Sequence, residues 1–464
     1  MNEEREELFL SAPVVKAVLA LMVPTVISQL ITVVYNMADT FFIGQLNDPN
    51  QVAAASLAMP LLIFLGGIAN LFGIGASSLI SRSLGAGDRE KARKTAAFSI
   101  WMTIMVSFLY GIFLLLFRYA LLPAIGANVG TYEYCYQYVF WTVIIGAIPT
   151  VLNSEFAHLV RAEGYSRQAS FGVILGGVLN IILDPIFISG LKLEIVGAAI
   201  ATMLSNLCAT AYFLILIYRR RKISVISLNP KYFTLKQRIP SEVFFVGLPS
   251  WMMNLMGVLS NVVLNVLIAS YSNEAMAGIG IAKKIDVLVF AIAIGISQGV
   301  LPLIGYNYAA RNYQRMRAVI KTTFGISLLV SGVGTILLFT GAGPIVKAFI
   351  KDPETVRYGQ LFQRIMCITG PCISITMIII TIFQSVGKKV QPMVLSLFRK
   401  GGLDVPIMIL MARFIGINGI TWATPISDLG AMLIAIILFI PFWKQQKAFT
   451  LNNTIGDYKT EDTR

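Results

Sequence analysis

The chain has 464 residues; 56% are apolar types and only 13% are charged. A soluble domain carries about one-quarter charged residues and interrupts its apolar runs much sooner, which excludes a soluble globular enzyme, a disordered chain and a coiled coil. The formal net charge of +14 invites a nucleic-acid partner, but the bases sit in short loops between apolar runs, where they face an anionic lipid surface instead. One His and four Cys without metal-ligand spacing leave no zinc site and no disulfide framework.

Residues 1–13 are polar, carry several Glu, and lead into an apolar stretch too long for a signal sequence, so no cleavable signal is expected. Twelve spans follow: 14–44, 52–81, 95–117, 133–160, 168–190, 194–217, 243–270, 275–308, 318–341, 355–385, 390–414 and 418–443. About 20 apolar residues cross a bilayer, so the longer runs imply tilt. With the N-terminus inside, the inner loops hold twenty Lys and Arg against six outside. That bias places both termini in the cytoplasm of a plasma-membrane protein. The polar tail 444–464 reads as unstructured. The expected fold is an all-α polytopic membrane protein with 12 transmembrane helices, surrounded by lipid bilayer and monomeric.

Residues 218–242 form the longest and most basic connection, as a cytoplasmic linker between an N-lobe at 14–217 and a C-lobe at 243–443 would. An offset of 222–225 superposes the two lobes. It pairs Pro24 with Pro249, Asn36 with Asn261, Gly75 with Gly299, Gly164 with Gly387 and Thr202 with Thr424. Six spans per lobe is even, so the repeat is parallel, with its axis along the membrane normal. Such a repeat points to a transporter that rocks about a central site. No Walker sequence is present, so the driving force is an ion gradient or the substrate's own gradient.

Span 1 carries Gln29, Tyr35, Asn36 and Asp39 at helical spacing, a polar stripe that lipid does not solvate. Span 5 carries Asn180 and Asp184 four apart, followed by Pro185, and span 6 carries Thr202. Counting from the span ends puts Asp39, Asp184 and Thr202 at similar depth. A carboxylate at that depth is costly unless protonated or paired, and no Lys or Arg of spans 1, 5 or 6 lies beside them. The oxygens therefore suit a proton, Na⁺ at Asp39 and Asp184, or a cationic substrate. Gln29, Tyr35, Asn36, Asn254 and Asn261 are candidates to line a cavity. In the C-lobe, Lys283, Asp286, Arg399, Asp404 and Asp428 form a candidate charge network, in which Lys283 and Asp286 are spaced to pair directly. Glu155 and His158, three apart near the inner end of span 4, read as an interfacial pair or a cytoplasmic gate contact.

These landmarks resemble the multidrug and toxic compound extrusion (MATE) family. The resemblance runs from about Val14 to Trp443. It rests on Pro24, on Tyr35-Asn36-Met37-Ala38-Asp39, on Gly85-Ala86-Gly87-Asp88, and on Arg161-Ala162-Glu163-Gly164. Asn180-Ile181-Ile182-Leu183-Asp184-Pro185 and Gly197-Ala198-Ala199-Ile200-Ala201-Thr202 complete it. It implies a cation-coupled antiporter, using H⁺ or Na⁺ and no cofactor, that expels organic, often cationic small molecules. It also implies a cation site at Asp39, Asn180, Asp184 and Thr202, and a hinge at Pro24. Some branches use acids in spans 7 and 10, which this sequence lacks in the core of either span. The wider superfamily includes lipid-linked precursor flippases, the alternative reading. An intramembrane enzyme is not expected, because its metal and nucleophile signatures are missing.

Overall fold

The computed structural model describes residues 3–46 and 48–461 and is helical almost throughout. A short helix, Glu3–Leu10, precedes span 1 at Val14–Gly44, span 2 at Pro49–Gly85 and span 3 at Arg89–Ala124. Span 4 is a bent pair, Tyr132–Ile145 with Ala147–Ala162, followed by span 5 at Ser166–Gly190 and span 6 at Glu194–Arg220. The second half holds span 7 at Ile239–Ala269, span 8 at Asn273–Ala309 and span 9 at Tyr313–Thr340. Span 10 is a second bent pair, Pro353–Cys367 with Gly370–Ser385.

Among the described residues nine helices are long and apolar enough to cross a bilayer, and the two bent pairs raise this to eleven. Span 11, expected at 390–414, is broken into Val390–Leu397, a π-helical turn at Phe398–Asp404, and Val405–Ile415. The cause is local. Gly401 and Gly402 weaken the helix, and Pro406 removes an amide donor just beyond it. Span 4 bends by 50° beside Gly146 and span 10 by 43° before Gly370-Pro371. Pro24, by contrast, lies inside an unbroken helix, where Thr25 Oγ1 donates to the Leu21 carbonyl at 2.8 Å. The last helix runs Ile417–Glu461, so the tail read as unstructured is helical as far as Glu461. Lys444, Gln445, Gln446 and Lys447 are good helix formers, and the helix simply continues through them.

The parallel repeat extends to the caps. Asp88 caps span 3 by accepting from Lys91 N at 2.8 Å, and Asn312 caps span 9 by accepting from Arg315 N at 3.1 Å. The preceding residues, Gly87 and Arg311, are both left-handed, with φ of 78° and 58°.

The two halves meet along spans 2 and 7 and along spans 1 and 8. The close contacts lie toward the end that carries the basic loops. Gly75 faces the Val243 backbone, Gly247 faces the Leu71 backbone, and Gly299 faces Leu21 and Met22; a methyl on Gly247 would fall 1.7 Å from the Leu71 oxygen. Ser78 donates to the Gln384 carbonyl at 2.5 Å, and Gln384 Nε2 donates to Val246 O and Ser250 Oγ at 2.9 Å each. Glu242 pairs with Arg82 at 3.1 Å and Lys91 at 3.7 Å. Phe9 plugs the same end: its ring lies 5.0 Å from that of Tyr306, and its carbonyl accepts from Arg315 Nε at 2.7 Å. On the outside, Leu116, Leu329 and Ile437 are each about two-thirds exposed, as residues facing acyl chains must be.

Candidate functional site

Spans 1, 4, 5 and 6 build the site inside the first half. Asp39 of span 1 accepts a hydrogen bond from the Tyr138 hydroxyl of span 4 at 3.4 Å. Asn180 of span 5 donates through Nδ2 to Asp184 Oδ1 at 3.2 Å and to Thr202 Oγ1 of span 6 at 3.3 Å. The i,i+4 spacing stacks Asn180 over Asp184 on one face. Gly177 lets the Tyr35 ring close onto span 5, because a side chain there would collide with it. Asp184 is fully buried and Asn180 nearly so, and Asp39 lies within electrostatic reach of Asp184.

Three oxygens of the cluster, Asp39 Oδ1, Asn180 Oδ1 and Asp184 Oδ2, are buried without a hydrogen-bond partner among the described residues. Buried polar atoms are rarely left so. Carboxylate, amide and hydroxyl oxygens are the donor set of a hard cation, and the same carboxylates accept a proton equally well. A polar ladder continues from the cluster. Asn206 Nδ2 donates to the Thr202 carbonyl, and Asn153 Nδ2 to Asn206 Oδ1, both at 2.9 Å.

The structure thus brings Asp39, Asn180, Asp184 and Thr202 together. The other sequence candidates lie elsewhere, Gln29 and Asn36 on span 1 and Asn254 and Asn261 on span 7. Gln29 reaches Gln298 of span 8 at 3.5 Å, Asn261 accepts from Lys283 Nζ at 3.1 Å, Asn36 is exposed and Asn254 is half-buried. Tyr138 escaped the sequence reading because it sits in the aromatic run 132–141, where nothing marks one ring as pointing inward. Glu155 and His158 take separate partners instead of forming a pair. Glu155 is buried and accepts from the Ser99 hydroxyl and from Thr103 at 2.8 Å, whereas His158 bonds Asn70 at 3.2 Å.

The second half repeats the layout with different charges. Asp404 follows Asn180 at an offset of 224, while Thr424 and Asp428 follow Thr202 and Asn206 at 222. Asp404 accepts from Ser260 at 2.5 Å and lies 3.5 Å from Lys400 Nζ; Arg399 Nε bonds Asp428 at 2.9 Å. Lys283 turns to Asn261, so the direct pair expected with Asp286 gives way to a network centred on Arg399 and Lys400. Among the described residues, each acid of spans 11 and 12 in this network therefore has its own cation within 4 Å, whereas the interactions recorded for Asp39 and Asp184 include no Lys or Arg.

Two helical halves in parallel repeat, with a buried oxygen cluster in one, define a polytopic membrane transporter. The sequence profile of the MatE family matches residues 24–186 and again 249–410, once in each half. The multidrug export protein MepA of Staphylococcus aureus (strain MSSA476) is 30% identical over 442 residues, covering 94% of this chain and 97% of its own. MepA of Staphylococcus saprophyticus is 29% identical over the same length. The outward-facing conformation of a multidrug resistance MATE family transporter of the MOP superfamily superposes with a TM-score of 0.89 at 23% identity, over 97% of this chain and 99% of that one. The chain belongs to the MATE family, and its fold is the family's two-lobe bundle of twelve spans, with spans 4, 10 and 11 interrupted.

Proposed function

We propose that the chain is a cation-coupled antiporter that exports organic, often cationic compounds by alternating access. The likeness to MepA supports small organic molecules as substrates. The observation that carries the coupling is the half-buried Asp39 beside the fully buried Asp184, each with one buried carboxylate oxygen unpartnered. An uncompensated carboxylate in the membrane costs several kcal/mol, and one H⁺ or Na⁺ removes that cost. The close-packed end bearing the basic loops is then the cytoplasmic side, so both termini are cytoplasmic and this conformation opens outward. A cation entering from outside neutralises the pair, releases a cationic substrate and lets span 1 rearrange about Pro24. After the switch the cation leaves inward and new substrate binds. A single charge across ~100 mV supplies ~2.3 kcal/mol.

A flippase for lipid-linked pyrophosphates would need free cations in its cavity, and Arg399 and Lys400 are already engaged with Asp428 and Asp404. The test is efflux of a cationic dye from proteoliposomes under an imposed Na⁺ gradient and, separately, a pH gradient. One gradient drives efflux and Asp39→Asn abolishes it; full efflux in Asp39→Asn sinks the assignment.

A further inference from the structure

Away from the Asp39–Asp184 cluster, span 3, span 6 and the linker border a cavity of about 380 Å³ whose wall mixes basic and hydroxyl groups with Ile217, Ile226 and Leu228. Arg93, Arg221, Tyr218, Tyr232, Ser224 and Ser227 line it, and no Asp or Glu does so among the described residues. Tyr232 holds Arg93 in place: Nη1 lies 3.3 Å from its hydroxyl, and the guanidinium sits over its ring at 5.1 Å. Arg221 is set against the Tyr218 ring at 4.6 Å. Two guanidinium groups beside the hydroxyls of Tyr218, Tyr232 and Ser227, with Ser224 already bonded to Glu163 behind the wall, make a receptor for an anionic phosphate ester.

The same wall continues into apolar space. A groove of about 320 Å³ is lined by Trp101, Met102, Met105, Pro230 and Phe233. Met102 also borders a second cavity of about 470 Å³, lined by residues of spans 2, 3 and 7 including Phe72, Phe244 and Trp251. Met102 and Met105 lie nine and twelve residues beyond Arg93 on one helix, roughly 14–18 Å deeper at ~1.5 Å per residue. A charged head site at the basic end, with one apolar groove beginning beside it at Trp101 and Phe233 and a second apolar cavity sharing Met102, has the polarity of a diacyl lipid.

We infer that this surface binds one anionic diacyl phospholipid of the inner leaflet, its phosphate between Arg93 and Arg221. One acyl chain lies in the groove along span 3 and the other in the cavity shared by the two halves. The site is separate from the proposed cation pair and does not depend on it.

The test is native mass spectrometry of the full-length protein in detergent, after incubation with phosphatidylglycerol, phosphatidylcholine or glycerol 3-phosphate. The expected result is one retained phosphatidylglycerol per chain, favoured about 10-fold or more over phosphatidylcholine, the scale of two arginines facing one anionic head. R93A/R221A removes the preference. M102W, which fills the tail channels and leaves the arginines in place, lowers phosphatidylglycerol retention several-fold, and it serves as well if the arginine variant does not fold. Equal retention of both lipids, a preference that survives R93A/R221A, or glycerol 3-phosphate bound as tightly as the lipid would each overturn the proposal.

Discussion

The Asn180 amide nitrogen lies 3.2 Å from Asp184 Oδ1, one turn along the same helix, and also reaches Thr202 on the neighbouring span. One side chain thereby fixes the carboxylate of span 5 against span 6 and leaves the second carboxylate oxygen unpartnered. In the other half, the residue at the equivalent position is Asp404, and Lys400 accompanies it. The two lobes share a scaffold and differ in how charge is compensated.

Replacing Asn180 by Ala removes the one side-chain donor seen on Asp184. A hydrogen bond to a charged group is worth about 1.5–3 kcal/mol, and this one stabilises the empty, ionised carboxylate, so without it the cation concentration for half-maximal efflux should fall by about tenfold or more. Proteoliposome efflux titrated with the coupling cation measures this. An unchanged midpoint would show that Asn180 does not organise the site.

Arg399 and Asp428 are both about 2% exposed, and their contact is 2.9 Å. Arg399→Gln strands a buried carboxylate, a loss of about 3–5 kcal/mol for a broken buried pair. The paired change R399M/D428L removes both charges and should recover most of that stability. Thermal unfolding of the two variants in detergent gives the comparison; equal midpoints would contradict a tightly coupled pair.

At Gly247 an added Cβ meets the Leu71 carbonyl oxygen, which cannot swing aside, whereas Gly325 on span 9 has open space around it. Gly247→Val should force spans 2 and 7 apart, an overpacking cost of about 1–3 kcal/mol, and cut transport several-fold. A cysteine placed at Ser250 should become labelled by a membrane-impermeant maleimide from the basic-loop side. Gly325→Ala should leave both readouts unchanged.

Glu163, in the turn after span 4, ties down the linker. Its carboxylate accepts from Val225 N at 2.5 Å and from Ser224 Oγ at 2.8 and 2.9 Å. Burial raises its pKa above the ordinary 4.5, against the lowering effect of the Val225 and Ser224 bonds and of Arg89. The folded state therefore holds its proton to higher pH than the unfolded chain. This contribution to stability is full below the ordinary value and is lost as pH rises through the raised one. As pH rises above the ordinary carboxyl value the wild type should lose stability relative to Glu163→Gln, as thermal unfolding across a pH series would register; parallel curves would refute the linkage.

Composition and periodicity alone determined that the chain lives in a membrane, that it has two parallel halves, and that Asp39, Asp184 and Thr202 of the first half share a depth. A continuous apolar run can be counted without knowing its neighbours, and a carboxylate within one is conspicuous because hydrocarbon does not solvate it. Only the tertiary structure decided that span 11 breaks at a π-helical turn, that Tyr138 reaches Asp39, and that Lys283 bonds Asn261 while Arg399 and Lys400 take the acids. It also decided which end is close-packed, through Gly75, Gly247 and Gly299. Those outcomes depend on how helices rotate and approach one another, and that is set by contacts between residues far apart in the chain, which spacing along a single helix does not encode.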